Sequence, residues 1–261
     1  MSSKVAVLGP KGTFTEAAAK RLFSDAKLAY MDDVNGVFEY VDSGTGEGVV
    51  AIENSLEGSV VKNLELLLEH DVRICGEVTL DIGLCLMKKK GVKEIKTVLS
   101  HPHALAQCKK YLKEKHPKAK LHSTDSTAAA MLELDKMVDA AAIGPKGAAE
   151  TYGLDIVEEN IQDDYSQTRF IAISKKECWG KKTSIIFAVK DEPGALYSVL
   201  RIFSDNNINL TKIESRPSRK KLGEYIFYVD FENNSLDKKG IEGLLLKIKE
   251  RTTLLKNLGS Y

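Results

Sequence analysis

The stretch VAVLGPKGTFTEAAAKRLF, residues 5–23, decides the fold, because it sets a short apolar run, a loop of glycines and hydroxyls and an amphipathic helix in succession. Thr13, with Glu16 three residues later, is a capping box that predicts the start of the helix. The same succession returns after the apolar runs at 49–52, 97–99, 120–122 and 140–143. Strands that alternate with helices predict an α/β architecture with largely parallel sheets.

The pattern changes after Ile173, where a polar connector at 174–182 carries the only tryptophan, Trp179. Beyond the connector, the apolar periodicity predicts strands and helices in the order βαββαβ. The strands are predicted at 184–189, 209–215, 224–231 and 254–259, and the helices at 193–204 and 241–251. This order is that of a ferredoxin-like sandwich, so we expect two domains, at 1–175 and 183–261.

The composition is that of a globular protein, with 43% hydrophobic and 29% charged residues in a chain of 261. The net charge of +1 gives no reason to expect nucleic acid or an anionic membrane as a partner. No apolar signal segment and no bilayer-spanning apolar run are found, so we expect a cytoplasmic protein. None of the 4 cysteines forms a Cys-x-x-Cys pair, so we expect reduced thiols, with neither a zinc site nor a disulfide framework.

In a parallel α/β sheet, ligands bind beyond the carboxyl ends of the strands, where the loops of this pattern lie. Helix N-termini in such loops carry partial positive charge and favour carboxylates or phosphates. The hydroxyl side chains that these loops offer are Thr13, Ser55, Ser100, Ser123, Thr124 and Ser126. The alternative is that the hydroxyls at 13, 55, 100 and 126 only cap helices, which explains any single loop better than it explains all of them together.

The sequence gives little support for a nucleotide or metal site. The loop at 9–13 lacks the Gly-Lys-Ser/Thr ending of a phosphate-binding loop, and the glycines at 44, 46 and 48 precede a strand instead of following one. His101 and His103 are separated by Pro102 and have no acidic or cysteine partner at helical spacing, so a metal is not expected. We therefore expect no cofactor.

An arginine beside a threonine stands at the entrance of the apolar strand predicted at 170–173, in the sequence Thr168-Arg169-Phe170. A guanidinium at this place can clamp a carboxylate with two parallel hydrogen bonds while the hydroxyl meets the reacting group. On composition alone, a surface arginine at a strand edge is the better interpretation.

Taken in order, seven motifs resemble the prephenate dehydratase family in its stand-alone form, with a C-terminal ACT domain. Those of the first domain are GPKGTFTE at 9–16, IENS at 52–55 with Gly58, SHP at 100–102, STDS at 123–126 and TRF at 168–170. Those of the second domain are GAL at 194–196 and ESRP at 214–217. Each motif is weak by itself, but the resemblance covers essentially the whole chain.

The resemblance implies a two-lobed catalytic domain, similar to type II periplasmic binding proteins, followed by a ferredoxin-like ACT domain. Lobe 1 would comprise about 1–77 and 155–175, and lobe 2 about 78–154. The activity implied is the decarboxylating dehydration of prephenate to phenylpyruvate, water and CO2 in phenylalanine biosynthesis, with feedback by L-phenylalanine. A homodimer or homotetramer is implied as well, with phenylalanine bound between paired ACT domains.

The resemblance also assigns roles to residues. Thr168 would carry the essential hydroxyl, with Glu53 either as the carboxyl of a proton relay or as a structural hydrogen-bonding group. The substrate would be held by Thr13, Asn54, Ser55, Ser100, Ser123, Thr124, Ser126, Arg169 and Phe170. Phenylalanine would be held by Gly194, Ala195, Leu196, Asn209, Leu210, Glu214, Ser215, Arg216 and Pro217.

Three positions depart from the family pattern: Ser166 stands where asparagine is usual, His103 where glutamine is common, and Ala51 where proline is frequent. Ser166 and His103 keep hydrogen-bonding capacity, so the departures bear on substrate geometry and not on the reaction. Two alternatives stay open. One is the same reaction on arogenate, and the other is a non-catalytic amino-acid sensor built on a solute-binding fold.

Overall fold

The computed structural model describes residues 4–219, 224–233 and 236–261, which form three sheets covered by helices. Elements are labelled in chain order. The first sheet contains β1 (Lys4–Leu8), β2 (Lys27–Met31), β3 (Glu47–Asn54), β4 (Gly58–Ser59), β5 (Arg73–Asp81) and β11 (Gln167–Ser174). Its order is β2-β1-β3-β11-β5, with β4 paired to the end of β3. β1 is parallel to β2 and β3, whereas β11 is antiparallel to both of its neighbours.

Three helices cover this sheet and complete the first lobe: α1 (Phe14–Leu22), α2 (Val34–Asp42) and α3 (Val61–Glu69). The helix α1 places the small side chains of Ala18 and Ala19 against Val5 and Val7, so that it lies close to the strands. Thr13 caps α1, since its side chain accepts a hydrogen bond from the backbone N–H of Glu16. The capping box in the sequence therefore marks the helix start correctly.

The second sheet contains β6 (Leu84–Lys88), β7 (Thr97–Ser100), β8 (Lys120–Ser123), β9 (Ala140–Pro145) and β10 (Asp155–Glu158), in the order β10-β6-β9-β7-β8. With α4 (Pro102–Gln107), α5 (Lys109–Lys115), α6 (Thr127–Leu134) and α7 (Gly147–Tyr152), it forms the second lobe. β7 is parallel to β8 and β9. This lobe is inserted into the first, because β5 precedes it and β11 follows it.

The crossings between lobes fall a few residues later than the predicted limits at 78 and 154. β5 pairs with β11 as far as Asp81, so all of it belongs to the first lobe. β10 pairs with β6 and therefore closes the edge of the second sheet. The apolar runs alone did not show with which sheet β5 and β10 would pair, because strand pairing is set by long-range contacts.

The third sheet contains β12 (Lys182–Ala188), β13 (Leu210–Pro217), β14 (Tyr225–Glu232) and β15 (Leu254–Ser260), in the order β13-β14-β12-β15. With α8 (Ala195–Asp205) and α9 (Lys238–Lys249), it has the predicted βαββαβ order. All strand pairs of this sheet are antiparallel. The prediction of a mixed α/β protein with a C-terminal ferredoxin-like domain is confirmed.

The two faces of the third sheet have different partners. Side chains such as Phe187 and Phe231 pack under α8 and α9 in a core of their own. Neighbouring side chains on the opposite face, such as Ile186 and Tyr228, join the core of the first lobe. The third sheet with α8 and α9, called the third domain because it follows the two lobes, is therefore docked on the first lobe through a shared apolar core. Within the described residues, no helix is both long and apolar enough to cross a membrane.

One disulfide joins the connector to the first sheet, contrary to the prediction of reduced thiols. Cys178 of the connector is bonded to Cys75 of β5, with 5.2 Å between their Cα atoms. The other cysteines, Cys85 and Cys108, are buried and unpaired, and burial raises the pKa of Cys108 to about 12. The pairing was not visible in the sequence, because the two cysteines are separated by 103 positions and meet only through the fold.

We predict that Cys178→Ser lowers the free energy of unfolding by about 2–4 kcal/mol without reductant, because the cross-link restricts the unfolded chain. With excess dithiol reductant, variant and wild type should unfold at the same urea concentration. Cys85→Ala is the control, since its effect should not depend on reductant. Equal unfolding midpoints for Cys178→Ser and wild type without reductant would show that the bond does not form in solution.

Candidate active site

The loops that follow β1 and β3 of the first lobe contact α7 and α4 of the second lobe, and the space between the lobes beside these contacts is called the cleft. The hydroxyl of Tyr152, at the end of α7, donates a hydrogen bond to the carbonyl of Lys11 at 2.8 Å. Gly12 has a φ of +80°, and a Cβ there would lie 3.2 Å from the Tyr152 ring and 3.3 Å from Ala148. A glycine is therefore required where the loop at 9–13 approaches the second lobe.

A second contact between the lobes lies at the loop after β3. The imidazole Nδ1 of His103, in α4, is 2.7 Å from a carboxylate oxygen of Glu57. Gln107, one turn further along α4, donates to the same carboxylate at 3.4 Å. His103, which departs from the family pattern, thus contacts the opposite lobe. Sequence reasoning did not single out Glu57, because an exposed glutamate in a loop carries no distinctive signal.

The central polar cluster of the cleft joins Asn54, Ser166 and Thr168. The side-chain Nδ2 of Asn54 donates to the hydroxyl oxygens of Ser166 and Thr168, both at 2.9 Å. Thr168 stands opposite Asn54 in the ladder of β11 and β3, so this contact follows from the strand register. The Thr168 hydroxyl accepts from Asn54 and donates no hydrogen bond to another described residue, so its proton can be donated to a ligand.

The loop after Asn54 is held to the start of β11 by local hydrogen bonds. The Oδ1 of Asn54 accepts from the backbone N–H groups of Leu56 and Glu57 at 2.9 and 3.1 Å. The hydroxyl of Ser55 accepts from the backbone N–H of Gln167 at 2.9 Å. Both the Nδ2 and the Oδ1 of Asn54 are thus hydrogen-bonded, and the fixed amide holds the Thr168 side chain in one orientation.

A buried carboxylate supports the loop at 9–13. Glu16 accepts a hydrogen bond from the backbone N–H of Gly12 at 2.7 Å and pairs with Lys20 at 2.6 Å. Burial acts to raise the pKa of Glu16, but the contacts with Lys20 and Gly12 outweigh it and keep the pKa below its usual value. Burial and the charge of Glu16 together raise the pKa of Tyr30 to about 12. The loop is therefore held in place by the helix that it precedes.

Several predicted substrate hydroxyls are engaged within the protein. Ser126 caps α6 by accepting from the Ala129 N–H, and Thr124 donates to the Ser126 carbonyl. Ser100 is fully buried and donates to the carbonyl of Ile143 at 2.7 Å, so its predicted role in substrate binding is not supported by the geometry. Only Ser123, of the hydroxyls at the ends of β7 and β8, is exposed. The capping alternative explains Thr13 and Ser126.

Arg169 does not face the cleft, which contradicts the prediction that it clamps a substrate carboxylate. Successive side chains of a strand point to opposite faces, so Arg169 points away from the face that carries Thr168. Its guanidinium contacts Glu77 and Asp230, each at 2.6 Å, and the hydroxyl of Tyr261 at 2.8 Å. Burial disfavours its charge, but Asp230, Tyr261 and Glu77 outweigh this and raise its pKa above the ordinary value.

Glu53 shares the outer face with Arg169. Its carboxylate lies 3.7 Å from the Arg169 guanidinium and 3.1 Å from the ammonium of Lys212 in β13. The geometry favours the structural role for Glu53 over the proton relay. Phe170 faces the same side as Thr168 but is buried in the core with Val5, so its predicted contact with substrate is contradicted as well.

The predicted phenylalanine-site residues lie in three places. Gly194 begins α8 and lines a pocket of about 350 Å³ together with Ala195. Asn209 and Leu210 lie beyond the other end of α8, in a pocket of about 530 Å³. Leu196 and Leu210 also pack against the core of the third domain. The remaining four residues, Glu214, Ser215, Arg216 and Pro217, form the end of β13.

The comparisons with known proteins agree over the whole chain. A family model described as prephenate dehydratase matches residues 5–178, and one described as ACT domain matches residues 183–242. A prephenate dehydratase of Methanocaldococcus jannaschii is 45% identical, over all of this chain and 98% of its own length. The crystal structure of an Arthrobacter aurescens prephenate dehydratase in complex with L-Phe superposes with a TM-score of 0.88, at 33% identity, over 98% of this chain and 89% of its own.

The name of a plant relative includes a second activity. The chloroplastic arogenate dehydratase/prephenate dehydratase 2 of Arabidopsis thaliana is 37% identical, over 99% of this chain and 73% of its own length. Its name carries two substrates, so similarity at this level does not distinguish between them.

We predict that Arg169→Met lowers the free energy of unfolding by about 3–5 kcal/mol, because it leaves the carboxylate of Asp230 without its buried cation and leaves Glu77 with Lys182 alone. Urea denaturation followed by circular dichroism would measure this. Arg201→Met, which removes an exposed pair with Asp205, is the control and should cost less than about 1 kcal/mol. Equal stability of Arg169→Met and wild type would contradict the structural role.

Proposed function

The chain belongs to the prephenate dehydratase family, and from that premise we propose that it converts prephenate to phenylpyruvate, water and CO2 under control by L-phenylalanine. The observation that carries the proposal is the Asn54–Thr168 pair at the cleft, with the Thr168 proton free for donation. The first test is incubation with prephenate, followed by the absorbance of phenylpyruvate. The absence of product would contradict the proposal.

The reaction needs a site that holds a dianion and assists a departing hydroxyl. When the ring carboxylate leaves as CO2, the electron pair of the broken C–C bond enters the ring, and the ring hydroxyl leaves as hydroxide that takes up a proton. The ring becomes aromatic, so the driving force lies within the substrate. The protein therefore contributes positioning and fixed dipoles, with no redox step.

Thr168 is proposed to donate a hydrogen bond to the departing oxygen. Its oxygen already accepts from Asn54, which orients the hydroxyl and makes it a better donor. A threonine hydroxyl stabilises developing negative charge without giving up its proton, so the proton of the product water comes from solvent in this scheme. Glu53, on the far face of the sheet, takes no part in it.

With Arg169 outside the cleft, the substrate carboxylates need another source of positive charge. The N-termini of α1 and α6 both open at the carboxyl ends of their sheets, and their N–H groups favour anions. Lys11 lies in the same loop as Thr13 and contacts the face of the Tyr30 ring. We propose that these helix ends and Lys11 receive the dianion, together with the exposed hydroxyls of Ser55 and Ser123.

Thr168→Ala should lower kcat by about a hundredfold and leave KM within a few-fold of wild type, because the hydroxyl acts on the leaving group. Thr168→Ser keeps the donor and should stay within about tenfold of wild-type kcat. Steady-state kinetics with prephenate, and thermal unfolding as a check on folding, would measure both. A kcat for the alanine variant close to that of wild type would remove Thr168 from the mechanism.

The effector site is proposed to form between two chains. Gly194 and Asn209 lie at opposite ends of α8, a helix of 11 residues, which at 1.5 Å per residue separates them by about 16 Å. A single bound amino acid does not reach both ends of α8 in one chain. A two-fold pairing of two chains, however, brings the N-terminal end of one α8 near the C-terminal end of the other. We therefore propose a homodimer, or a homotetramer built from it.

Gly194 has a φ of +83°, and a Cβ there would meet open space, so the backbone conformation alone requires glycine. We predict that Gly194→Ala weakens phenylalanine binding about tenfold, because the strained helix start turns away from the ligand carboxylate. Isothermal titration calorimetry would measure the affinity, and light scattering the assembly. Gly243→Ala, in α9, is the control and should bind phenylalanine as wild type does. Unchanged affinity in Gly194→Ala would place the site elsewhere.

Two alternatives are decided by substrate assays. Arogenate differs from prephenate by an amine in place of the keto group, so the ratio of kcat/KM for the two compounds identifies the preferred one. A non-catalytic sensor would bind both without turnover.

As an enzyme that acts on a dissolved metabolite, the protein is proposed to be cytoplasmic, with a catalytic domain at 1–175 and a regulatory domain at 183–261. Cell fractionation and limited proteolysis would test these two proposals.

A further inference from the structure

The end of β3 is partly independent of the rest of the first sheet. The register shifts between Arg169 and Phe170, which leaves Ile52 of β3 without a ladder partner. Beyond this bulge, two residue pairs remain, and β4 extends them by pairing with Glu53 and Asn54. We call residues 53–54, 58–59 and 167–169 the tip. The bulge interrupts the ladder and increases local twist, so residues 53–54 and 58–59 can shift relative to residues 167–169, which stay paired with β5.

The tip presents different groups on its two faces. Thr168 and Asn54 contact each other on the cleft side, whereas Arg169 and Glu53 lie on the side of the third domain. Ser59 of β4 also faces the third domain. Because Asn54 adjoins Glu53 and pairs with β4, a displacement of Glu53 or Ser59 on the outer face moves Asn54 and with it the hydrogen bond that orients the Thr168 hydroxyl.

Two strands of the third domain hold the outer face of the tip. The ammonium of Lys212, in β13, lies 3.1 Å from Glu53 and donates to the Ser59 hydroxyl at 2.6 Å. Glu214, two residues further along β13, accepts from the same hydroxyl. Asp230 of β14 contacts Arg169 at 2.6 Å. The side chains of Lys212 and Arg169 are only 13% and 15% exposed, so solvent screens these contacts weakly.

The strand that carries Lys212 also links the tip to the proposed effector site. β13 begins at Leu210, directly after Asn209, and Glu214 belongs to its last segment. The ladder between β13 and β14 is irregular between Leu210 and Lys212, but its register is uninterrupted from Lys212 to Pro217. A displacement of the proposed effector residues at 214–217 is therefore transmitted along β13 to Lys212. The chain of contacts from the effector end to Thr168 therefore runs through β13, the ammonium of Lys212 and the tip.

We propose that Lys212 is a positioning residue, which holds the tip in the conformation that aims the Thr168 hydroxyl, and that phenylalanine acts on catalysis by moving Lys212. This inference rests on the proposed function and adds the element by which the regulatory domain reaches the reacting group. Lys212 itself does not touch the substrate, because it lies on the opposite side of the first sheet from the cleft.

The test compares Lys212→Met with wild type by steady-state kinetics in the absence of effector. The variant should have a kcat lower by about fivefold, in the range of couplings between sites, and a KM within twofold of wild type. Inhibition by phenylalanine should be weakened by a similar factor, while the affinity for phenylalanine by calorimetry stays unchanged. Lys212→Arg keeps the cation in reach of Glu53 and should restore most of kcat and of the inhibition.

The matched control is Lys256→Met, because Lys256 is a second lysine that joins the third domain to the first lobe. Its ammonium donates to the carbonyls of Leu68 and His70, away from the tip. This variant should be less stable, with the kcat and the phenylalanine response of wild type. If it lost both to the same extent as Lys212→Met, general loosening of the interface would explain the result and the proposal would be wrong.

The remaining outcomes separate this inference from the proposed function. Wild-type kcat and inhibition in a folded Lys212→Met would overturn the positioning role. If that variant does not fold, Ser59→Ala takes its place, since it removes one of the two groups on the tip that Lys212 contacts and should lower kcat in the same direction. Wild type without turnover of prephenate or arogenate would overturn the proposed function first. Wild type that is active but indifferent to phenylalanine would overturn the regulatory step, and the kcat of the variants would still decide the positioning role.

Discussion

The alternation of side chains across a β-strand is the constraint on which this molecule depends. In the paired ends of β3 and β11, the residues Asn54 and Thr168 point into the cleft, and their neighbours Glu53 and Arg169 point to the third domain. The cleft and the third domain thus lie on opposite sides of the same two ladder pairs. Catalytic geometry and domain docking are therefore built from adjacent residues, and neither can change without consequences for the other.

The sequence predicted the layout of the fold because its signals are local. Apolar runs followed by hydroxyl-rich helix starts gave the parallel strands, and Thr13 and Ser126 mark helix starts that the structure has. The shift in periodicity after Ile173 gave the third domain. The limits of the lobes were placed a few residues early because they depend on whether β5 and β10 pair with the first or the second sheet, and pairing is a long-range property.

The errors at the site share one cause. Thr168-Arg169-Phe170 was treated as a unit that faces one ligand, although its three side chains have three environments: the cleft, the ionic contact with Asp230 and the core around Val5. A usable signal was present, because extending the predicted strand at 170–173 by two residues places Thr168 and Arg169 on opposite faces. No such signal existed for the contact of Asn54 with Ser166 or for the bond between Cys75 and Cys178, which arise between distant segments.

The docking of the third domain combines two kinds of contact with different consequences. The shared apolar core, with Ile186 and Tyr228 against the first lobe, holds the domains together but tolerates small sliding, since apolar contact has little directionality. The ionic contacts at the tip balance four cations against four carboxylates: Arg169, Lys182, Lys212 and Arg216 against Glu53, Glu77, Glu214 and Asp230. Buried pairs of this kind add little net stability, because desolvation offsets the attraction, but their energy changes steeply with position. The apolar core therefore keeps the domains attached, while the ionic contacts behind the active site make the position of one strand end sensitive to small displacements.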